Sequence, residues 1–114
     1  MSKLTLKVNL SPLEALAKVT EVMGVDLVHE EQHKLDGGLE IGTLIFEKYY
    51  MRVKNRIALI VIADNFQGST EIRAIATASS EGIIFNFDWG AGDSFLRELE
   101  GILEPYVTHA EWVD

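Results

Sequence analysis

The amino-acid sequence predicts an α+β domain: a curved antiparallel meander of strands with two helices on one of its faces. Apolar and polar residues alternate in the first ten positions, which is typical of a half-buried strand. An amphipathic helical pattern follows, and a second one lies near the other end of the chain. Between them, turn residues separate five strand-like stretches, so we expect sequential strands that pair as neighbours.

Length and composition indicate one globular domain over residues 1–114. Hydrophobic residues make up 47% of the 114 positions and charged residues 25%, which are ordinary values for a folded domain. The absence of cysteine excludes disulfides, thiolate zinc sites and cysteine nucleophiles. A net charge of −8 argues against nonspecific binding to nucleic acid or to an anionic membrane. The sequence has neither a membrane-spanning apolar run nor a signal-peptide core, so we expect a cytoplasmic protein.

The first strand and the first helix have the clearest signals. The alternating apolar residues of the strand are Leu4, Leu6, Val8 and Leu10. A helix over residues 12–23 is predicted next, because Ser11 and Glu14 form a capping box around Pro12 at the first helical position. We expect Gly24 to end this helix in the left-handed conformation.

Three strands and two turns are predicted after this helix. Residues 25–35 form a strand that is polar on much of both faces, and Asp-Gly-Gly at 36–38 predicts a hairpin turn. A long strand covers residues 39–53, and Asn55 is expected to take a left-handed turn conformation. Residues 57–63 are apolar in both phases, which predicts a central strand.

Two further strands lead to the second helix. Turn residues at 65–69 precede a strand over residues 70–79, and residues 83–88 form a short strand after another turn. The strand over residues 70–79 carries small side chains on one face, which lets a helix pack close to it: Ala74, Ala76 and Ala78.

The second helix is expected over residues 93–104 and docks across the alanine face. Asp93 is the predicted N-cap, and Pro105 stops the helix. The tail, residues 107–114, either adds an edge strand or frays.

The resulting order, β-α-β(5)-α, matches the TATA-binding-protein-like and helix-grip architectures, in which a curved sheet wraps a C-terminal helix. A ferredoxin-like sheet is the alternative, but it would place two strands between the helices rather than five. Topology of this kind says little about function.

Four stretches, residues 42–52, 55–59, 78–80 and 85–90, resemble a small family of bacterial proteins of unknown function. The longest reads Gly-Thr-Leu-Ile-Phe-Glu-Lys-Tyr-Tyr-Met-Arg. The resemblance extends over residues 4–104, and strand and turn patterns carry most of it. It implies a bacterial cytoplasmic domain and implies nothing about catalysis.

His29, Glu31 and His33 fall on one face of the predicted polar strand. Imidazole and carboxylate groups at this spacing are able to bind a transition metal. The residues between them are also polar, which is typical of a solvated edge strand that resists pairing with another sheet. We therefore expect no metal here, and no other motif indicates a cofactor.

A second candidate site is a cluster of cations interleaved with Tyr49 and Tyr50: Lys48, Arg52, Lys54 and Arg56. Cations and aromatic rings together are able to bind an anionic small molecule, an acidic protein or single-stranded nucleic acid. Four cations on a chain of net charge −8 form only a small basic surface, so we expect no nucleic-acid partner.

The leading functional hypothesis is a non-catalytic binding or regulatory domain, because no enzyme class has its motif in the sequence. The curved sheet and the second helix could enclose a cleft for a small apolar or acidic ligand. Its expected lining residues are Phe46, Tyr50, Leu59 and Phe95. The alternative is a structural module that self-associates through a protein interface.

The pattern of residues 57–63 also predicts a homodimer. A strand with one wet face has polar residues at alternate positions, yet neither phase offers a polar residue before Asp64. Two helices cover one face of such a meander, so the other face needs cover. A two-fold dimer is the commonest solution.

Overall fold

The computed structural model describes residues 2–51, 54–78 and 89–113. Its strands are β1 (Ser2–Val8), β2 (Leu27–Lys34), β3 (Glu40–Tyr50), β4 (Asn55–Asp64), β5 (Thr70–Ala78) and β6 (Val107–Val113). Its helices are α1 (Pro12–Met23) and α2 (Trp89–Leu103). The strands form one antiparallel sheet, so the predicted α+β class is confirmed. The strand predicted at 83–88 lies outside the described residues.

The strand order in the sheet is β2-β3-β4-β5-β1-β6. Strands β2 to β5 follow one another as a meander, as the short turns between them predict. β1 then pairs with β5, and β6 pairs with the other side of β1, so that Leu6 lies between Ile72 and Ala110. The C-terminal tail is therefore an edge strand, which is one of the two outcomes that the sequence left open.

Both helices pack on the same face of the sheet. α1 lies against β3 and β4, α2 lies against β1, β4 and β5, and the two helices contact each other. Neither described helix is long and apolar enough to cross a membrane. The buried apolar residues form one core between the helices and the sheet: Leu4, Leu6, Val8, Ala15, Leu16, Val19, Met23, Leu44, Phe46, Ile57, Leu59, Val61, Ala63, Ile72, Ala74, Ala76, Ala91, Phe95, Leu96, Leu99 and Leu103.

Gly42 sets how closely α1 approaches the sheet. A Cβ atom at this position would collide with Cδ1 of Leu16 and would lie 3.2 Å from the carbonyl oxygen of Glu31. Glycine therefore lets the first turns of α1 rest directly on β3. The Leu13 amide also donates a hydrogen bond to Oε1 of Glu40 over 3.3 Å, which ties the same end of α1 to the start of β3.

The predicted start of α1 is confirmed in detail. The Glu14 amide donates to Oγ of Ser11 over 3.3 Å, and the Ser11 amide donates to Oε1 of Glu14 over 3.0 Å. The hydrogen bond from the Ser11 backbone, and then the one from its hydroxyl, lower the pKa of Glu14. This reciprocal pair fixes the first turn of the helix.

The predicted end of α1 is wrong in its backbone geometry. Gly24 has φ −60° and ψ −23°, which is right-handed, because the chain continues from the helix into a single 3-10 turn through Asp26. The turn before β4 also differs from the prediction. Lys54, with φ +50°, takes the left-handed position, since Asn55 already pairs with Tyr50 as the first residue of β4.

α2 includes residues before the start that the sequence predicts. The helix is described from Trp89 onward, so Asp93 lies inside it and is not its N-cap. The hydroxyl of Ser94 donates to the carbonyl oxygen of Gly90 over 2.8 Å, which shows that the glycine-containing segment is already helical. The small buried residue Ala91 extends the contact between helix and sheet by one turn beyond the prediction.

Candidate functional site

The face of the sheet opposite the helices is the candidate site, and we call it the open face. Its central residues alternate with core residues along β3, β4 and β5, and no described element packs on them. They are Ile41, Thr43, Ile45, Ala58, Ile60, Ile62, Ile75 and Thr77. The open face therefore carries five isoleucines, although the helices leave it uncovered.

Three isoleucines form a row across the middle of the open face. Ile45 pairs with Ile60, and Ile60 pairs with Ile75, so branched side chains stand side by side on three adjacent strands. All three are only partly buried. Ile62 extends this row along β4 by one pleat and is likewise partly buried.

Charged residues flank the isoleucines on both sides. On the side formed by β2 and β3, Glu31 and Glu47 are exposed. On the side formed by β1, Lys3 and Lys7 are exposed. The open face is thus apolar at its centre and carries both signs of charge at its margins, since Glu71 lies opposite Lys7 and Arg56 lies near Glu47.

A buried carboxylate closes one end of the isoleucine surface. Asp64 is 7% exposed, and its Oδ2 atom lies 3.1 Å from Nη2 of Arg73, which reaches across from β5. Its Oδ1 atom accepts a hydrogen bond from the Phe66 amide over 3.1 Å. Nε of Arg73 is 3.9 Å from Oε1 of Glu71, so the Arg73 guanidinium lies close to the carboxylates of both Asp64 and Glu71. Sequence reasoning missed this pair because its residues are nine positions apart on different strands.

The residues considered as metal ligands lie on the exposed edge strand β2. Nε2 of His29 is 2.8 Å from Oε2 of Glu31, and Nε2 of His33 is 3.6 Å from Oε1. Hydrogen bonds from His29 and then from His33 lower the pKa of Glu31. In the described part of the chain, no three His, Cys, Asp or Glu side chains are arranged to hold a metal ion.

The four residues predicted to line a ligand cleft belong to the core or its margin. Phe46, Leu59 and Phe95 have no exposed surface. Tyr50 is partly buried, and its ring meets that of Phe95 edge-on with the centroids 5.9 Å apart. These contacts account for the four side chains as packing, and ligand binding by them stays a prediction.

The predicted cation cluster is divided between the two faces. Lys48 points to the helix side, where Nζ is 3.9 Å from Oε1 of Glu98 and 5.5 Å from the ring centroid of Tyr50. Arg56 points to the open face, where Nη1 is 3.9 Å from Oε1 of Glu47. Lys54 occupies the turn between β3 and β4, and Arg52 lies outside the described residues. The structure thus does not bring Lys48 and Arg56 together.

A shallow groove of about 290 Å³ is a feature that sequence reasoning did not find. It runs between α1 and the segment before β6, and Nζ of Lys18 lies 5.4 Å from the ring centroid of Tyr106 inside it. Its lining is Leu10, Glu14, Ala17, Lys18, Glu21 and Tyr106. No local sequence pattern indicates this groove, because its two sides are far apart along the chain and are brought together by the β1–β6 pairing.

A structural neighbour confirms the fold but says nothing about function. The crystal structure of adenosylmethionine decarboxylase from Aquifex aeolicus superposes with a TM-score of 0.53, covering 98% of this chain and 84% of that one. The two sequences are 6% identical, so the likeness concerns the fold alone. No curated protein matches the chain.

The comparison with family models matches most of the chain. A model of DUF6054, described as a family of unknown function, matches residues 1–107. This match covers nearly every described element, and it agrees with the resemblance seen in the strand and turn patterns of the sequence. The chain therefore belongs to the family of unknown function DUF6054.

Proposed function

We propose that this domain acts by self-association, with the open face of one copy packed against the open face of a second. The observation that carries the proposal is the row formed by Ile45, Ile60 and Ile75, which no described element covers. The described elements of one copy leave these residues only partly buried. Burying them in an interface removes apolar surface from water at about 25 cal/mol per Å².

A sheet-on-sheet arrangement suits this surface geometrically. Two sheets that pack face to face lie about 10 Å apart and interdigitate the side chains of their inner faces. Isoleucine is branched at Cβ, so it holds few rotamers and loses little side-chain entropy when it is covered. A row of three such residues gives each copy a ridge that can lie against the other copy.

The charges support a second copy of the same chain as the occupant. A two-fold axis parallel to the strands, between β4 and β5, places β3 of one copy over β1 of the other. Glu47 on β3 of one copy then faces the strand that carries Lys3 and Lys7 in the other, and the reverse pairing occurs by symmetry. One surface thus supplies both signs, as an isologous interface requires.

The cleft hypothesis has less support from the geometry. Three of its four lining residues are already completely buried, and their contacts are those of a packed core. The self-association hypothesis uses residues that the core does not use. We therefore prefer an interaction module to a small-ligand receptor.

Light scattering at micromolar concentration tests the proposal. The unmodified chain is expected to have at least twice the monomer mass of 12.7 kDa. Ile60→Glu places a charge in the middle of the isoleucine row and is expected to break this association while the fold remains.

Val22→Glu is the matched control, because Val22 is 60% exposed on α1, away from the open face. It adds the same charge and is expected to leave the mass unchanged. A monomeric unmodified chain, or equal masses for the unmodified chain and Ile60→Glu, would refute the proposal.

A further inference from the structure

The two edges of the sheet differ in how well they are protected from pairing with another strand. On β2, seven of the eight residues are exposed, and among them are Glu30, Glu31 and Lys34. Glu30 and Gln32 are joined by a hydrogen bond of 3.0 Å, and Glu31 lies between two histidines. Charged side chains of this density are the usual protection of an edge strand.

The outer edge of β6 lacks this protection. Its five exposed residues are Thr108, His109, Ala110, Glu111 and Val113. One of them is an acid, none is lysine or proline, and no described strand pairs with this edge. The irregularity in its pairing with β1 lies at the Val8 end, so residues 109–113 form a regular stretch with free backbone groups on the outer side.

We propose that β6 pairs antiparallel with β6 of a second copy, which joins two six-stranded sheets edge to edge. A two-fold axis through such a pair centres on a residue, because antiparallel partners lie on the same face of a sheet. The sequence of β6 then decides which residue is the centre.

The charges select Ala110 as that centre. Centring on Glu111 would place two carboxylates opposite each other, and centring on His109 would place two imidazoles opposite each other. Centring on Ala110 pairs His109 of each copy with Glu111 of the other, and it matches Thr108 with Trp112. Ala110 is also the midpoint of Val107–Val113, so this register uses the full length of the strand.

This inference does not rest on the proposed function, since an edge-to-edge pair leaves the open face of each copy uncovered. The two interfaces use different residues and can be separated by mutation. The test is therefore made in the Ile60→Glu background, in which association through the open face is removed.

Sedimentation velocity on the Ile60→Glu chain is expected to show a dimer at tens of micromolar. Adding His109→Glu turns both cross-strand pairs into Glu–Glu pairs and is expected to weaken this dimer about tenfold. The fold should tolerate the change, because Lys7 lies directly opposite position 109 on β1. Circular dichroism of each variant checks that it does.

Adding Glu111→Lys to His109→Glu is the rescue, because it restores opposite charges in the same register. The dimer constant is expected to return to that of the Ile60→Glu chain. A monomeric Ile60→Glu chain, an unchanged constant for His109→Glu, or a failure of the rescue would each overturn the β6 pairing. Equal masses for Ile60→Glu and the unmodified chain, both those of a dimer, would refute the open-face proposal instead and leave this one standing.

Discussion

The two faces of β4 are nearly identical in composition and opposite in environment. Leu59 and Ile60 are adjacent residues of similar volume, yet Leu59 has no exposed surface and Ile60 is only partly buried. The helices and their contacts explain why the Leu59 face is apolar. None of the described elements covers the Ile60 face, and we propose that a second copy does.

The largest expected difference between the faces is in the cost of truncation. Leu59→Ala leaves a cavity in a filled core and is expected to lower the free energy of unfolding by about 2–5 kcal/mol. Ile60→Ala removes a comparable volume from the open face and is expected to cost less than half as much in a dilute sample. Urea unfolding at low protein concentration measures both, and equal losses would contradict the asymmetry.

The cost of added volume is the second comparison. Ala76 is completely buried beneath the helices, so Ala76→Leu overpacks that contact and is expected to cost about 1–3 kcal/mol. Ala58→Leu adds the same atoms on the open face, where space is available, and is expected to cost less. Thermal unfolding of the pair checks this, and an unchanged melting temperature for Ala76→Leu would argue against close packing there.

A smaller effect is expected at the start of α1, and it depends on pH. The Ser11 amide and hydroxyl lower the pKa of Glu14 from its ordinary value of 4.5. The carboxylate therefore stabilises the fold above pH 4.5, and this contribution is lost as the pH falls through the lowered pKa.

Glu14→Gln is accordingly expected to lower the melting temperature at pH 7 and to have a smaller effect at acid pH, once the pH has fallen through the lowered pKa of Glu14. Glu21→Gln, on the same helix without this cap, is the control. A loss of equal size at both pH values would show that the charge of Glu14 is not what stabilises the turn.

The smallest effect is expected on β2. His29 and His33 are at least half exposed, and each has Glu31 as its partner. Their joint replacement, His29→Gln with His33→Gln, is expected to leave the melting temperature unchanged because surface pairs contribute little. A chelator is likewise expected to have no effect. A stoichiometric metal in the purified protein, lost in the double variant, would reverse our interpretation of this strand.

Most of the fold could be predicted where the signal is local. The capping box of Ser11 and Glu14 marks the start of α1, and the apolar run at 57–63 marks a central strand. The errors occur where long-range pairing overrides a local preference. Asn55 tolerates a left-handed conformation, but its pairing with Tyr50 moves that conformation to Lys54.

The candidate site was predictable in composition but not in arrangement. Ile60 and Ile62 are conspicuous in the sequence because they occupy the phase that should be polar. That Ile45 and Ile75 flank Ile60 follows only from the register of three strands. The link between Asp64 and Arg73 likewise depends on that register, as does the separation of Lys48 from Arg56.

The position of β1 has a consequence for how the chain is made. β1 is made before both strands that it pairs with, since β5 and β6 follow more than sixty and about a hundred residues later. Chains are synthesised at about 5–20 residues per second, so the apolar residues Leu4 and Leu6 remain for several seconds without the strands that they pair with. The meander of β2 to β5 can form during translation, whereas the sheet closes around β1 only after β6 has been made. Closure of the sheet around β1 is therefore expected to be the last step of folding.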